Sequence, residues 1–121
     1  MAKWSKKSAD RLNTCDSDLI RLFSEVIIHQ DCTILDGHRD EYRQNKYFSE
    51  GKSKLMYPMS KHNKYPSRAV DVIFYPFNEH SWDDREKFKE FRGFVYGVAS
   101  QLEIRLNKTI VWDLPHFELR G

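Results

Sequence analysis

The clearest strand in this chain carries a charge that an apolar strand tolerates poorly. Residues 69–75 read Ala69-Val70-Asp71-Val72-Ile73-Phe74-Tyr75 and stop at Pro76. The β-branched and aromatic run predicts a strand, and Asp71 is its one charged member. An ionised carboxylate in such a setting is costly unless it is paired or bound to a metal. Taken alone, an Asp at this place reads as a turn cap or as the partner of an arginine.

Helices and further short strands surround that segment. Leu19, Ile20, Leu22, Phe23, Val26 and Ile27 recur at helical spacing and predict a helix over 18–29, with Asp16 or Ser17 as its cap. Thr33-Ile34-Leu35 is a short strand candidate closed by the turn signal Asp36-Gly37. A more polar helix is expected over 39–48, stopped near Gly51. Residues 52–67 hold Pro58 and Pro66 and read as a loop of functional length. The longest helix is expected over 83–106, with Phe88, Phe91, Phe94, Val95, Val98, Ala99, Leu102 and Leu106 as its apolar stripe. Residues 109–112 and 116–119 are two short strand candidates separated by Pro115. Their connections are too short for parallel crossovers. The expected fold is therefore α+β, a small antiparallel sheet flanked by helices, in a single domain over 1–121 with 1–16 a candidate flexible N-terminal arm.

Composition narrows the functional classes. A chain of 121 residues can bury a core without staples, and 14% aromatic residues argue against disorder. Lys+Arg 20 against Asp+Glu 18 leaves a net charge of +2, which excludes an obligate nucleic-acid binder of the basic-tail kind. The two cysteines, Cys15 and Cys32, are too few for a disulfide framework and too far apart for a Cys-x-x-Cys site. They read as reduced thiols of a protein made in the cytoplasm. Five histidines beside two cysteines mean that any metal ligands should be His and carboxylate. No apolar run is long enough to span a membrane. The basic start with Lys3, Lys6, Lys7 and Arg11 lacks the apolar run of a secretory signal and reads as a solvated terminus. A monomer without nucleic-acid partner or membrane insertion is expected.

Two segments bring chemistry to Asp71. Ser60-Lys61-His62-Asn63 puts a histidine in the loop that feeds the strand, and Trp112-Asp113-Leu114-Pro115-His116-Phe117-Glu118 supplies a second Asp and a second His. Pro115 keeps the residue before it extended, so Asp113 and His116 present from a bent, non-helical segment. Together these make two imidazoles, a carboxylate and a spare carboxylate. Such a set suits a catalytic zinc with one open position, where the metal acidifies a water and the spare carboxylate takes its proton. No His-Glu-x-x-His helix is present, so spacing alone is weakly specific.

The same residues carry a resemblance. The sequence resembles the zinc peptidases with the hedgehog/D,D-peptidase fold, a group that includes bacterial D-alanyl-D-alanine carboxypeptidases and dipeptidases and phage L-alanyl-D-glutamate endolysins. Their Ser-x-His, spacer, Ala-x-Asp motif is matched by Ser60-Lys61-His62 and Ala69-Val70-Asp71, with a longer spacer than the commonest form. Their Asp-x-Pro-His-Phe-Glu motif is matched by residues 113–118, and an upstream Gly-x-Arg by Gly37-His38-Arg39, followed by Gln44 and Gly51-Lys52-Ser53. The wording is similar to the phage branch. A Trp-Gly-Gly-Asp-Trp stretch that phage relatives often carry before the last motif is missing; here 106–111 run almost directly into Trp112-Asp113.

The resemblance implies one zinc ion on His62, Asp71 and His116, with Asp113 as general base and acid. It implies that Arg39 contacts the substrate carbonyl oxygen or a substrate carboxylate. Ser60, Gln44 and Glu118 are implied as outer supports or substrate contacts. The implied activity is cleavage of peptide bonds in peptidoglycan stem peptides, as a phage or prophage lysis enzyme made in the host cytoplasm without a signal peptide and acting at the wall after release. Which bond is cut, L-Ala–D-Glu or one containing D-Ala, stays open at this level. The alternative is a non-catalytic zinc domain of the same fold, against which the presence of Asp113 speaks. A ββα-metal nuclease reading of His62-Asn63 lacks a matching second histidine nearby. His29, His38 and His80 read as helix-end, turn and solvated residues, and Tyr75 and Trp82 as packing.

Overall fold

The strand around Asp71 is the middle strand of a three-stranded antiparallel sheet in the computed structural model, which describes residues 2–108 and 113–121. Helix α1 spans Lys6–Leu12 and α2 Ser17–His29; strand β1 is Cys32–Asp36, α3 Glu41–Ser49, β2 Ala69–Phe74, α4 Arg85–Gln101 and β3 His116–Glu118. The sheet order is β1-β2-β3. The expected antiparallel sheet is present, but its strands are joined by long connections that carry α3 and α4 rather than by short steps.

Every residue of β2 except Asp71 is buried, so the strand runs through the core. Phe74 meets Phe88 and Phe91 of α4 edge-on, and Phe23 of α2 meets Phe117 of β3 in the same way. Leu19, Leu22, Phe23 and Val26 of α2 and Phe88 and Val95 of α4 are almost fully buried with them. The amphipathic stripes of two helices thus cover one face of the sheet, as ridges of apolar side chains demand.

The register does more than hold the sheet together. Asp71 pairs with Asp36 on one side, after an irregularity between Ile34 and Asp36, and with His116 on the other. Three polar residues therefore stand in one row across the strands. A bulge of this kind re-aims the side chain that follows it, and here it puts Asp36 beside Asp71.

Three expectations change. The described part of the expected N-terminal arm, residues 2–16, is not loose: Ser8 and Leu12 are buried, and Ser5 caps α1. The Ser8 hydroxyl accepts from the Ile34 amide at 3.0 Å, and Arg11 donates to the Ile34 carbonyl at 3.0 Å. Helix α1 thereby satisfies polar groups on the open side of β1, which would otherwise be an unpaired sheet edge. Helix α4 stops at Gln101 rather than running to 106, because Glu103 takes a left-handed conformation with φ 59°. Leu106 then bridges Leu119 instead of extending the helix. Arg39 precedes α3, whose cap is Asp40. The strand expected over 109–112 lies outside the described residues.

Candidate metal centre

Two of the three central side chains are placed by the ladder. Asp71 comes from β2 and His116 from its partner position on β3. The third, His62, sits on a short 3-10 turn, Lys61–Asn63. Ser60 caps that turn: its hydroxyl accepts from the His62 amide at 3.2 Å, and its own amide donates to Asn63 Oδ1 at 3.0 Å. Asn63 in turn donates to the Arg39 carbonyl and to Gln44 Oε1, both at 3.2 Å. The Arg39 amide donates to the His62 carbonyl at 2.8 Å.

The inner atoms form a nearly equilateral triangle. His62 Nε2 is 3.2 Å from Asp71 Oδ1 and 3.3 Å from His116 Nδ1, and His116 Nδ1 is 3.2 Å from Asp71 Oδ1. Bonds of about 2.0–2.1 Å to a tetrahedral ion put its ligand atoms about 3.3 Å apart, so these edges match such an ion without rearrangement. The chemistry of the donors agrees. The Gly37 carbonyl can only accept, at 2.7 Å, so His62 Nδ1 carries the proton and Nε2 offers a lone pair. His116 Nε2 donates to Glu118 Oε1 at 2.8 Å, which leaves Nδ1 facing inward. Asp71 accepts from Arg39 at 2.7 Å on its outer oxygen and turns the other to the triangle. Three lone pairs that converge in this way call for a cation, and His62, Asp71 and His116 can hold one.

The electrostatics show the same demand. Burial disfavours the Asp71 carboxylate, but His62 and His116 outweigh it and hold its pKa well below the ordinary range. Burial works against a charged His116, yet hydrogen bonds to Asp71 and Glu118 raise its pKa to about 9. The His116 hydrogen bond is the main cause that takes the Glu118 carboxyl down to about 2, with Asn107 adding its own at 2.7 Å. Asp113 moves the other way. Burial first, then the Asp71 charge, raise its pKa, and its Oδ2 lies 3.9 Å from His116 Nδ1. A carboxylate more basic than usual, at the edge of the centre, is equipped to accept a proton.

The remaining sequence candidates fall into place around this core. Arg39 is buried and its guanidinium is largely engaged: Nε bonds Asp36 at 2.5 Å, Nη1 bonds Gln44 at 3.3 Å and Nη2 bonds Asp71. Its Cζ lies 4.7 Å from the Tyr47 ring centroid. In these contacts it holds a proposed ligand, a different part from the substrate contact that the resemblance implies. Gln44, fully buried, donates to Ser53 and to the Leu55 carbonyl, and so ties α3 to the loop rather than facing the cleft. Gly37 has to be glycine, because a Cβ there would stand 2.4 Å from the Arg11 carbonyl and from the Thr14 hydroxyl. Asp36, Asn63 and Asn107 were not singled out by the sequence; nothing in their own segments marks them, since each acts through a partner distant in the chain.

The triad opens into a cleft of about 750 Å³, also lined by Tyr47, Lys52, Leu55, Trp82 and Asp113. Trp82 contacts Phe77 and Phe88 but is 44% exposed, so it walls the cleft as well as packing. His29 pairs with Glu25, His80 with Glu79, and the His38 ring meets Tyr65; none of the three joins the centre.

Comparison with known proteins adds three findings. The family model described as phage L-alanyl-D-glutamate peptidase matches residues 1–118. Comparison with curated proteins gives no match. Among solved structures, the L-Ala D-Glu endopeptidase ChiX of Serratia marcescens is similar, with a TM-score of 0.76 and 22% identity over 97% of this chain and 89% of that one. At that identity the likeness speaks for the fold.

Proposed function

The chain belongs to the phage L-alanyl-D-glutamate peptidase family, and from that premise we propose that it cuts the L-Ala–D-Glu bond of peptidoglycan stem peptides with one zinc ion held by His62, Asp71 and His116. The observation that carries this reading is the triangle of inward lone pairs beside a basic, cleft-facing Asp113. We infer further that the protein acts as a monomer, is made in the host cytoplasm and reaches the wall on release.

When bound, zinc supplies a Lewis acid that polarises the scissile carbonyl and acidifies a water. Asp113 accepts the proton of the attacking water and returns it to the departing amine of D-Glu. Arg39 holds the outer oxygen of Asp71, and its remaining N–H edge, in the cleft lining, adds positive charge near the substrate oxyanion or carboxylate. Glu118 and the Gly37 carbonyl fix the two imidazoles in the tautomers that ligation requires. Ser60 holds the turn that carries His62. Gln44 reaches the centre only through Arg39 and Asn63.

Mass spectrometry of muropeptides released from purified sacculi tests the bond assignment. Cleavage at L-Ala–D-Glu frees peptides that begin with D-Glu and leaves L-Ala on the glycan; release of D-Ala alone contradicts it. Asp113→Ala is expected to keep its zinc and lose about 10²- to 10⁴-fold in rate. Full activity in that variant would refute the role of Asp113.

A further inference from the structure

Arg92 interrupts the apolar face of α4. It lies one turn after Phe88, is buried, and has its guanidinium 4.4 Å from the Phe117 ring centroid. A buried guanidinium usually meets a carboxylate. Arg92 instead spends one nitrogen on two backbone carbonyls, donating from Nη1 to Leu114 at 2.5 Å and to His116 at 2.6 Å. Its Nη2 bonds the hydroxyl of Tyr96, one turn further along α4, and that hydroxyl donates to the Lys108 carbonyl at 3.5 Å. The two carbonyls flank Pro115 within the segment that carries both Asp113 and His116. No other described side chain bonds either carbonyl.

We propose that Arg92 is a positioning residue for the reaction: by clamping the Leu114 and His116 carbonyls from α4, it sets the distance between the proton-accepting Asp113 and the centre formed by His62, Asp71 and His116. This rests on the function proposed above. His116 has two further restraints, the β2–β3 ladder and Glu118. Among the described residues, Asp113 is held through its backbone by one bond, its carbonyl accepting from the His116 amide at 3.1 Å. Loss of the clamp therefore falls on Asp113 more than on the ligand. Misplacing a reacting group by about 1 Å costs on the order of 10²-fold in rate.

The test compares wild type, Arg92→Gln and Arg92→Lys in the full chain, each loaded with zinc. Four quantities are read: metal per chain, melting temperature, kcat and KM on a soluble stem peptide. The expected result for Arg92→Gln is one zinc per chain, kcat lower by about 10- to 100-fold, and KM within about twofold. Arg92→Lys, which keeps a donor on a shorter reach, should recover part of kcat, and it carries the test if Arg92→Gln does not fold. Val95→Ala, a core truncation on the same helix, controls for stability; it should lower the melting temperature and leave kcat unchanged. The proposal is overturned if the folded, zinc-loaded Arg92 variants keep kcat within about twofold of wild type, or if added zinc restores the lost rate. A wild type that cleaves no stem peptide overturns the function itself, a result distinct from undiminished Arg92 variants of an active enzyme.

Discussion

Two regions supply the proposed metal centre, and they hold their side chains by different means. Asp71 and His116 face each other across the β2–β3 ladder, so backbone hydrogen bonds and strand register set their spacing. His62 comes from the loop between α3 and β2, where no ladder exists. Its place is set by separate single bonds: Ser60 and Asn63 lock the turn, Asn63 donates to Gln44 and to the Arg39 carbonyl, and the Arg39 amide donates to the His62 carbonyl. A ladder ligand is positioned by the fold as a whole and a loop ligand by a chain of individual hydrogen bonds. The ladder ligands should therefore fail only when they or their direct partners change, while the loop ligand should weaken stepwise.

Removing a ladder ligand is the harshest way to break that contrast. Asp71→Ala is expected to abolish stoichiometric zinc binding and to reduce hydrolysis to the level of chelator-treated wild type, as checked by metal analysis of the dialysed protein. Retention of one tight zinc would show that the triangle is not the binding site. Glu118→Ala removes the carboxylate behind His116 and should cost about 10- to 100-fold in zinc affinity or activity, measured by competition with a chromogenic chelator. The strand should stay paired, so the far-ultraviolet circular dichroism should match wild type.

Ser60→Ala sharpens the other side of the comparison. It removes a turn cap and should cost about 1 kcal/mol of stability and about tenfold in zinc affinity, with activity recovered at saturating zinc. An unchanged affinity would mean that the Gly37 carbonyl, the Arg39 amide and Asn63 hold His62 without the Ser60 cap. The smallest effect belongs to the sheet's own core. Burial raises the pKa of the Cys15 and Cys32 thiols to about 12. Unfolded thiols ionise near pH 9, so between the two values the unfolded state binds fewer protons than the folded one. The contribution of these thiols is therefore complete below about pH 9 and is lost as pH rises toward 12. In urea titrations Cys32→Ala should show a shallower loss of stability over that range than wild type, and an equally steep loss would remove Cys32 from the account.

Much of this was legible in the sequence because local pattern and chemistry agreed. Asp71 inside an apolar run, His62 in the loop ahead of it and Asp113-Leu114-Pro115-His116 near the end are all readable from their neighbours. What stayed hidden is tertiary. Asp36 reaches the centre only through the irregularity between Ile34 and Asp36 and the pairing across β1 and β2. Arg39, read as a substrate contact, is tied to Asp36, Gln44 and Asp71 by folds of chain that no spacing reveals. Helix α1 shows little apolar periodicity because its work is done by Ser8 and Arg11 on an open strand edge. The end of α4 is unmarked because Glu103, rather than a glycine, takes the left-handed turn. Arg92 did leave a trace, a charge at the position where the stripe of Phe88 and Val95 calls for an apolar residue.

The most direct test of the central claim is a zinc titration of the metal-depleted protein, with muropeptide release followed by mass spectrometry. Hydrolysis should rise with added zinc and level off at one ion per chain, with no rise in Asp71→Ala. Undiminished hydrolysis by the metal-depleted protein, or the same zinc response in Asp71→Ala, would contradict it.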